Sequence, residues 1–344
     1  MERSFKDQAS QAWEKRPAPN SDRIWLSVGA PVLFSTEQIE AAWLSLPQRL
    51  RDTPFHFARR DGLSLKLETL LPTGSYKIRA AYSRLAKISA SSQGVALSSS
   101  GNFASAFTWA ASQYDLKAHL VVTPAVNQGK LDLANQYPCT VHVCGDSYES
   151  RFEKLDELRS LGIEAIDHRT DRDVFLGHST IGWECLRYAE HFDRVLIPVS
   201  TGGLALGIAA ALRAGGYKGE ILGVQPSGNP TLYDSWRQGH AVSRSGIYTI
   251  CDALTATSIP DDTFALLREY LDDILLVQEQ SIWNAVGFLA LDEGIVVEPG
   301  AAVGVGCLLE EQRPWQDSLC ILTGRNVSSQ VLQHAIDTWH LEQQ

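Results

Sequence analysis

Glu68-Thr-Leu-Leu-Pro-Thr-Gly-Ser-Tyr-Lys77-Ile-Arg79 is the stretch whose reading decides the fold. An apolar run over Leu63–Leu67 precedes it and a helical pattern over 78–86 follows it, so Lys77 falls at a strand-to-helix turn. A lysine there lies at the mouth of a sheet rather than on a solvated face. Its amine can lose hydration and condense with a carbonyl group. The competing reading is a surface lysine opening a helix, and a single short motif does not exclude it. Three further segments at similar junctions decide between the two.

Outward from this turn, short β-branched or apolar runs alternate with amphipathic stretches. Strands are expected at 63–67, 95–98, 119–123, 140–144, 194–199, 221–225, 274–277 and 319–323. Helices are expected at 78–86, 103–113, 129–135, 148–161, 180–191, 204–214, 263–270, 281–291, 301–311 and 328–339. Such alternation implies an α/β protein with mainly parallel sheets covered on both faces. Ligands in such sheets bind at the carboxyl ends of the strands. Residues 1–36 have weak periodicity and carry Pro17, Pro19 and Pro31, and they read as an N-terminal arm.

The 344 residues suffice for two domains. An apolar content of 44% and a charged content of 20% are those of a globular protein. A net charge of −10, with no basic stripe, argues against nucleic acid as a partner. The six cysteines are scattered without a C-x-x-C pair and read as reduced thiols of a cytoplasmic protein. The polar N-terminus does not read as a signal peptide, and no apolar run reaches membrane-spanning length. The nine histidines show no metal-ligand spacing, and His178 reads as a structural or pocket-edge residue.

The second segment, Ser98-Ser99-Ser100-Gly101-Asn102-Phe103, follows a strand and opens a helix. Small hydroxyl residues and glycine before a helix expose backbone N–H groups to an anion, which in an amino-acid enzyme would be the substrate carboxylate. Asn102 can offer its amide to a cofactor hydroxyl, although Ser and Asn are also ordinary cap residues. The third segment runs from Val195 through Ser200-Thr201-Gly202-Gly203-Leu204 to Gly207. Its glycines let successive N–H groups face one phosphate at a helix N-terminus. The fourth, Leu319-Cys-Ile-Leu-Thr323-Gly324-Arg325-Asn326, ends a strand in a neutral hydroxyl at the sheet mouth.

The order and spacing of these segments, with Leu65-Lys-Leu-Glu68, Ile181-Gly-Trp-Glu184 and Val297-Glu298-Pro-Gly-Ala301, resemble the fold type II pyridoxal-phosphate enzymes from about Ile39 onward. Within that group the Tyr-Lys-Ile-Arg run, Ser147-Tyr-Glu-Ser-Arg151 and the terminal Gly-x-Asn resemble the serine racemases and the threonine and serine dehydratases. The resemblance implies two three-layer α/β/α domains with pyridoxal 5'-phosphate in the cleft between them. A large domain would comprise 37–92 and 171–344, and a small mobile domain 93–170. Lys77 matches the Schiff-base lysine and Tyr76 the aromatic before it. Asn102 matches the contact to the cofactor 3-oxygen, residues 200–204 the phosphate cup, and Thr323 the partner of the pyridine nitrogen. Ser99, Ser100, Gly101, Asn102 and Phe103 fall in the carboxylate-binding loop. Ser100 occupies the place of a second proton-transfer serine in serine racemase. Glu298 and Arg151 match polar residues lining the racemase site, and Ala253 a small residue near the ring.

The chain departs from the family pattern in several places. Its cup is Ser-Thr-Gly-Gly, Asp252-Ala253 replaces Asp-Gly, and Arg325 stands where glycine is usual. Gln225-Pro-Ser-Gly-Asn-Pro replaces the racemase cation segment, so no metal is expected there. The resemblance implies β-elimination on serine, threonine or a related β-hydroxy amino acid, giving a 2-oxo acid and ammonia. β-Replacement is the second reading, on the cup, and racemisation the third, on Ser100. A regulatory protein that kept the cofactor and lost turnover is the non-enzyme alternative. The resemblance also implies a homodimer. As the sequence stops soon after the last motif, the C-terminal effector domain of biosynthetic threonine dehydratases is not expected.

Overall fold

Two sheets organise the chain in a computed structural model that describes residues 32–99, 101–124, 131–132, 134–147, 149–310, 315 and 317–342. The larger sheet has the order β1-β2-β10-β7-β8-β9. Its strands are β1 (Phe55–Phe57), β2 (Leu63–Leu67), β7 (Arg194–Pro198), β8 (Glu220–Pro226), β9 (Asp273–Val277) and β10 (Ser318–Leu322). All pairs are parallel except β1 with β2. The smaller sheet, β5-β4-β3-β6, is parallel throughout. It comprises β3 (Val95–Ser98), β4 (Ala118–Val122), β5 (Cys139–Val143) and β6 (Glu164–Ile166).

The interior strands are apolar along their whole length because helices cover both faces. Every residue of β2, β3 and β10 is buried, whereas the edge strand β5 is only half-buried. Register then sets the site. Leu322 pairs with Leu67 and Cys320 with Leu196, so β2, β10 and β7 end level with one another. In the smaller sheet Ser98 pairs with Val121 and Leu97 with Ile166, which places the exits of β3 and β6 side by side.

Eleven helices are found among the described residues: α1 (Thr36–Ser45), α2 (Lys77–Leu85), α3 (Asn102–Gln113), α4 (Ser150–Ser160), α5 (Arg172–Cys185), α6 (Gly203–Ala214), α7 (Thr231–Gln238), α8 (Asp261–Tyr270), α9 (Glu279–Leu291), α10 (Pro299–Glu310) and α11 (Ser329–Glu342). None is long and apolar enough to cross a membrane. The α5–α6 crossing is close because Gly207 faces α5, where a Cβ would stand 2.6 Å from the Phe175 carbonyl oxygen.

Several elements differ from expectation. The N-terminal arm expected over 1–36 lies outside the described residues up to 31. The remainder is not loose: Leu33 and Phe34 are buried, and the Leu33 N–H donates to Tyr270 Oη at 2.6 Å. Helix α1 follows on a capping box in which Gln38 N donates to Ser35 Oγ and Ser35 N to Gln38 Oε1. Helix α5 starts at Arg172 rather than at 180, because Asp171 caps it through the N–H groups of Asp173 and Val174. Residues Leu186–His191 close that segment as a 3-10 turn. Strands β1 and β6, with three residues each, and helix α7 were not expected. The helix expected over 129–135 falls partly outside the described residues.

Candidate active site

A cavity of about 400 Å³ opens where the strands of the two sheets end, and residues from both sheets line it. The turn from β2 into α2 forms one wall. It is pinned to the end of β10: Tyr76 N donates to Thr323 O at 3.0 Å, Arg325 N donates to Gly74 O at 2.9 Å, and Ser75 bridges Gly324. Lys77 is therefore the first residue of α2 and points its amine into the cavity wall, 4.7 Å from the centre of the Tyr76 ring and 5.0 Å from that of Phe103. Burial pulls its pKa down to about 8, against the opposing attraction of Glu298. Burial likewise pushes the Tyr76 hydroxyl above its usual range.

Beneath this turn lies a fully buried charge cluster. Arg79 grips Glu68 through Nε at 2.8 Å and Nη2 at 3.0 Å, and Glu184 through Nη1 at 2.6 Å and Nη2 at 2.9 Å. Lys66 reaches Glu184 Oε2 at 2.6 Å. Two carboxylates thus meet two cations, with Thr53, Trp43 and the Asp52 N–H completing the hydrogen bonds. Glu68 starts the loop that carries Lys77 and Arg79 follows it, so their pair closes that loop like a clasp.

The second wall is the junction of β7 and α6. Gly202 adopts φ +96 and opens α6, and among the described residues no side chain caps the helix. The first N–H groups of α6 therefore face an unfilled N-terminus at the cavity. A Cβ on Gly202 would stand 2.5 Å from Leu267 Cδ1. Ser200, Thr201, Gly202, Gly203 and Leu204 all line the cavity. On the smaller sheet, β3 runs into Ser99 and, beyond residue 100, into Gly101 and α3, again with no side-chain cap among the described residues. Ser99, Gly101, Asn102 and Phe103 line the cavity; Ser100 lies outside the described residues. Asn102 Nδ2 donates to Glu298 Oε1 at 2.7 Å. Thr323, Ala253 and Arg151 also face the cavity.

The structure thus gathers every described residue singled out by sequence. It adds groups that sequence reasoning missed, chiefly His168, Phe152 and Asp252. His168 follows β6, a strand too short for its periodicity to be read. Burial, then the nearby Lys77 amine, holds His168 down to about 3, and the same two causes hold His178 far below its usual value. Both imidazoles are neutral in the working range. His178 is buried against Tyr76, with ring centres 5.0 Å apart, and its Nδ1 has no hydrogen-bond partner among the described residues. The segment expected to lack a metal uses its polar groups structurally. Gln225 Oε1 accepts from Leu232 N and Tyr233 N, and Asn229 Nδ2 donates to the carbonyls of Leu254 and Ala256.

These residues fit pyridoxal 5'-phosphate. The uncapped α6 N-terminus with its Gly202 turn suits a phosphate, Lys77 a carbonyl, and the neutral Thr323 hydroxyl a pyridine nitrogen. Residues 46–324 match the family described as pyridoxal-phosphate dependent enzymes. The chain is 30% identical over 250 residues to L-threonine ammonia-lyase of Thermotoga maritima, covering 72% of this chain and 62% of that one. It is 26% identical over 270 residues to catabolic L-threonine dehydratase of Escherichia coli, covering 76% and 82%. The structure of maize serine racemase superposes with a TM-score of 0.80 at 25% identity, covering 90% and 98%. The chain thus spans less than two thirds of the Thermotoga enzyme but almost the whole of the maize structure. Its parallel sheets, the lysine at their mouth and these likenesses agree: the chain belongs to the pyridoxal-phosphate dependent enzyme family, in the fold type II branch of serine and threonine dehydratases and serine racemases.

Proposed function

We propose that this protein is an ammonia-lyase that eliminates the β-hydroxyl of L-serine, L-threonine or a related β-hydroxy amino acid, releasing a 2-oxo acid and ammonia. The observation that carries this reading is Lys77: a buried amine with its pKa near 8, at one cavity with an uncapped helix N-terminus and a neutral hydroxyl. When bound, pyridoxal phosphate supplies an aldehyde for the amine and a ring that draws electrons from the substrate α-carbon.

The protein residues supply the rest. The backbone N–H groups of 200–204 hold the phosphate and fix the ring. Ser99, Ser100 and Gly101 orient the substrate carboxylate at the start of α3, with Phe103 closing the wall. Asn102 offers an N–H to the ring oxygen. Lys77 Nζ, neutral in a usable fraction near pH 8, takes the α-proton. Thr323 would offer the ring nitrogen a neutral hydroxyl, a partner that does not hold a proton there as a carboxylate would. The β-hydroxyl would depart as water by taking up the proton that Lys77 removed from the α-carbon. Water then returns as ammonia is lost, which balances the conversion to a 2-oxo acid. His168 and His178, both neutral, add no competing charge beside the amine.

The reading extends to the molecule. Segregation of the strands supports a large domain (37–92 and 171–344) and a small mobile one (93–170). Family membership supports a cytoplasmic homodimer, which light scattering would test.

The test of function is incubation with L-serine and L-threonine. Formation of 2-oxo acid, abolished in Lys77→Ala, supports the lyase. If no oxo acid forms, or serine is consumed only when a thiol or amine is added and a β-substituted amino acid results, the lyase reading fails.

A further inference from the structure

The side-chain amide of Asn326 joins three parts of the cavity wall. Its Nδ2 donates to the Thr73 carbonyl at 2.9 Å and to Asn102 Oδ1 at 2.8 Å. Asn102 Nδ2 in turn donates to Glu298 Oε1 at 2.7 Å. Asn102 and Glu298 line the cavity, and Asn326 stands behind them. Two backbone bonds hold the frame: Glu298 N donates to Gly324 O at 3.0 Å, and Arg325 N to Gly74 O at 2.9 Å.

This chain of amides has only one direction. The two ends of an asparagine amide are nearly equal in shape, so only partners decide which way it faces. A backbone carbonyl accepts and never donates, so Thr73 draws the nitrogen end of Asn326 to its side. That nitrogen also faces Asn102, which must answer with its oxygen. The nitrogen of Asn102 is left for the cavity, where a Glu298 oxygen takes it. Reversing Asn102 would set N–H against N–H at Asn326 and oxygen against oxygen at Glu298.

We propose that Asn326 is a positioning residue. It locks Asn102 with its N–H toward the cavity, and so tunes the site for an anionic ring oxygen. The inference rests on the cofactor reading above, in which Asn102 meets the ring oxygen of pyridoxal phosphate.

Asn326→Asp keeps the shape and removes both donors. Asn102 then turns its nitrogen to the new carboxylate and shows its oxygen to the cavity. Titration of the cofactor-free protein with pyridoxal 5'-phosphate, followed by absorbance, should show affinity about 10–100-fold weaker and a displaced visible band, as expected for loss of a hydrogen bond to a charged group. In an Asn102→Ala background the same substitution should change affinity less than about 2-fold. An unchanged affinity and band in Asn326→Asp overturns the proposal, as does a loss that persists undiminished in the Asn102→Ala background. Should Asn326→Asp fail to fold by circular dichroism, Asn326→Ser replaces it. That variant cuts the link to Asn102 without adding charge, and it should weaken binding by about 3–10-fold and be silent in the same background. Failure of the unsubstituted protein to bind would sink the cofactor reading, and this inference with it.

Discussion

In the proposed reaction a single amine carries most of the chemistry, and its environment makes it measurable without turnover. Lys77 has a pKa of about 8 in the folded chain against an ordinary 10.5, with burial as the main cause. Below pH 8 both folded and unfolded chains hold the proton, and the fold bears the cost of a buried cation. Between pH 8 and 10.5 the unfolded chain binds more protons, so stability rises with pH until that cost is gone. Lys77→Met should therefore raise the stability of the cofactor-free protein at pH 7 by about 1–3 kcal/mol. The gain should shrink toward zero as pH approaches 10.5, read as denaturation midpoints at several pH values. A pH-independent difference would mean that packing, not charge, separates the two proteins. Gly202 allows a second test. At φ +96, and with a Cβ site 2.5 Å from Leu267, alanine is strained at this position. Gly202→Ala should cost about 1–3 kcal/mol of stability and weaken phosphate binding, measured by titration with pyridoxal 5'-phosphate; unchanged stability and affinity would show that the turn tolerates a side chain.

Elements were legible where their pattern was long or bounded by turn residues. The eight expected strands all appear within a residue or two of their places, because five or so apolar residues between polar turns have few other uses in a soluble fold. The three-residue strands β1 and β6 show no period to read. Helix α5 was cut short because Gly177 and His178 interrupt its apolar face; in the fold Gly177 lets the helix approach Ala80 of α2. The capping box before α1 was a signal available in Ser35-Thr-Glu-Gln38 but was absorbed into the arm. Lys77, Ser99, Gly101, Asn102, residues 200–204 and Thr323 were legible because they follow the ends of readable strands, whereas Arg151, Ala253 and Glu298 sit on helix starts or loops and were reached only through the family resemblance. His168 was not legible, since its strand was missed. Least readable was the cluster under α2, whose members are drawn from β2 (Lys66), the turn after it (Glu68), α2 (Arg79) and α5 (Glu184). The cluster makes its own prediction. Burial acts to raise the Glu184 carboxyl, but Arg79 and Lys66 outweigh it and hold it well below the usual carboxylate range. A depressed carboxyl contributes stability above its unfolded pKa, and that contribution is lost as pH falls through the folded value. Glu184→Gln leaves buried cations short of a carboxylate and should cost about 3–5 kcal/mol in denaturant unfolding at pH 7. The difference from the unsubstituted protein should narrow in strong acid. A loss below about 1 kcal/mol would show that the cluster relaxes rather than clasps.

At the scale of the molecule, the cavity belongs to neither sheet alone. The smaller sheet and its helices contribute Ser99, Asn102, Phe103 and Arg151, while the larger brings Lys77, the α6 N-terminus and Thr323. Polar links already cross between the two groups: Asn102 to Glu298 and Asn326, and Arg84 to Glu164 at 2.6 Å. A ligand with a phosphate at α6 and a carboxylate at α3 adds anchors to both sides at once. Each new anchor stabilises the arrangement in which the groups are close, so binding and closure are coupled. The edge strand β5 is half-exposed, and the face of the smaller sheet under α4 is held only by the small cluster of Ala96, Val121, Leu155 and Leu158. Closure should therefore be visible as slowed amide exchange confined to β3–β6 and α4. With the pyridoxal phosphate-loaded protein, saturating alanine, which lacks a β-leaving group, should slow exchange in that segment by roughly tenfold, equivalent to about 1.4 kcal/mol. Strands β8 and β9 should be unchanged. Ethylamine, which has no carboxylate to meet the α3 N-terminus, should give little of the effect. Uniform slowing across both sheets, or an equal response to ethylamine, would show that substrate does not draw the smaller sheet onto the larger one.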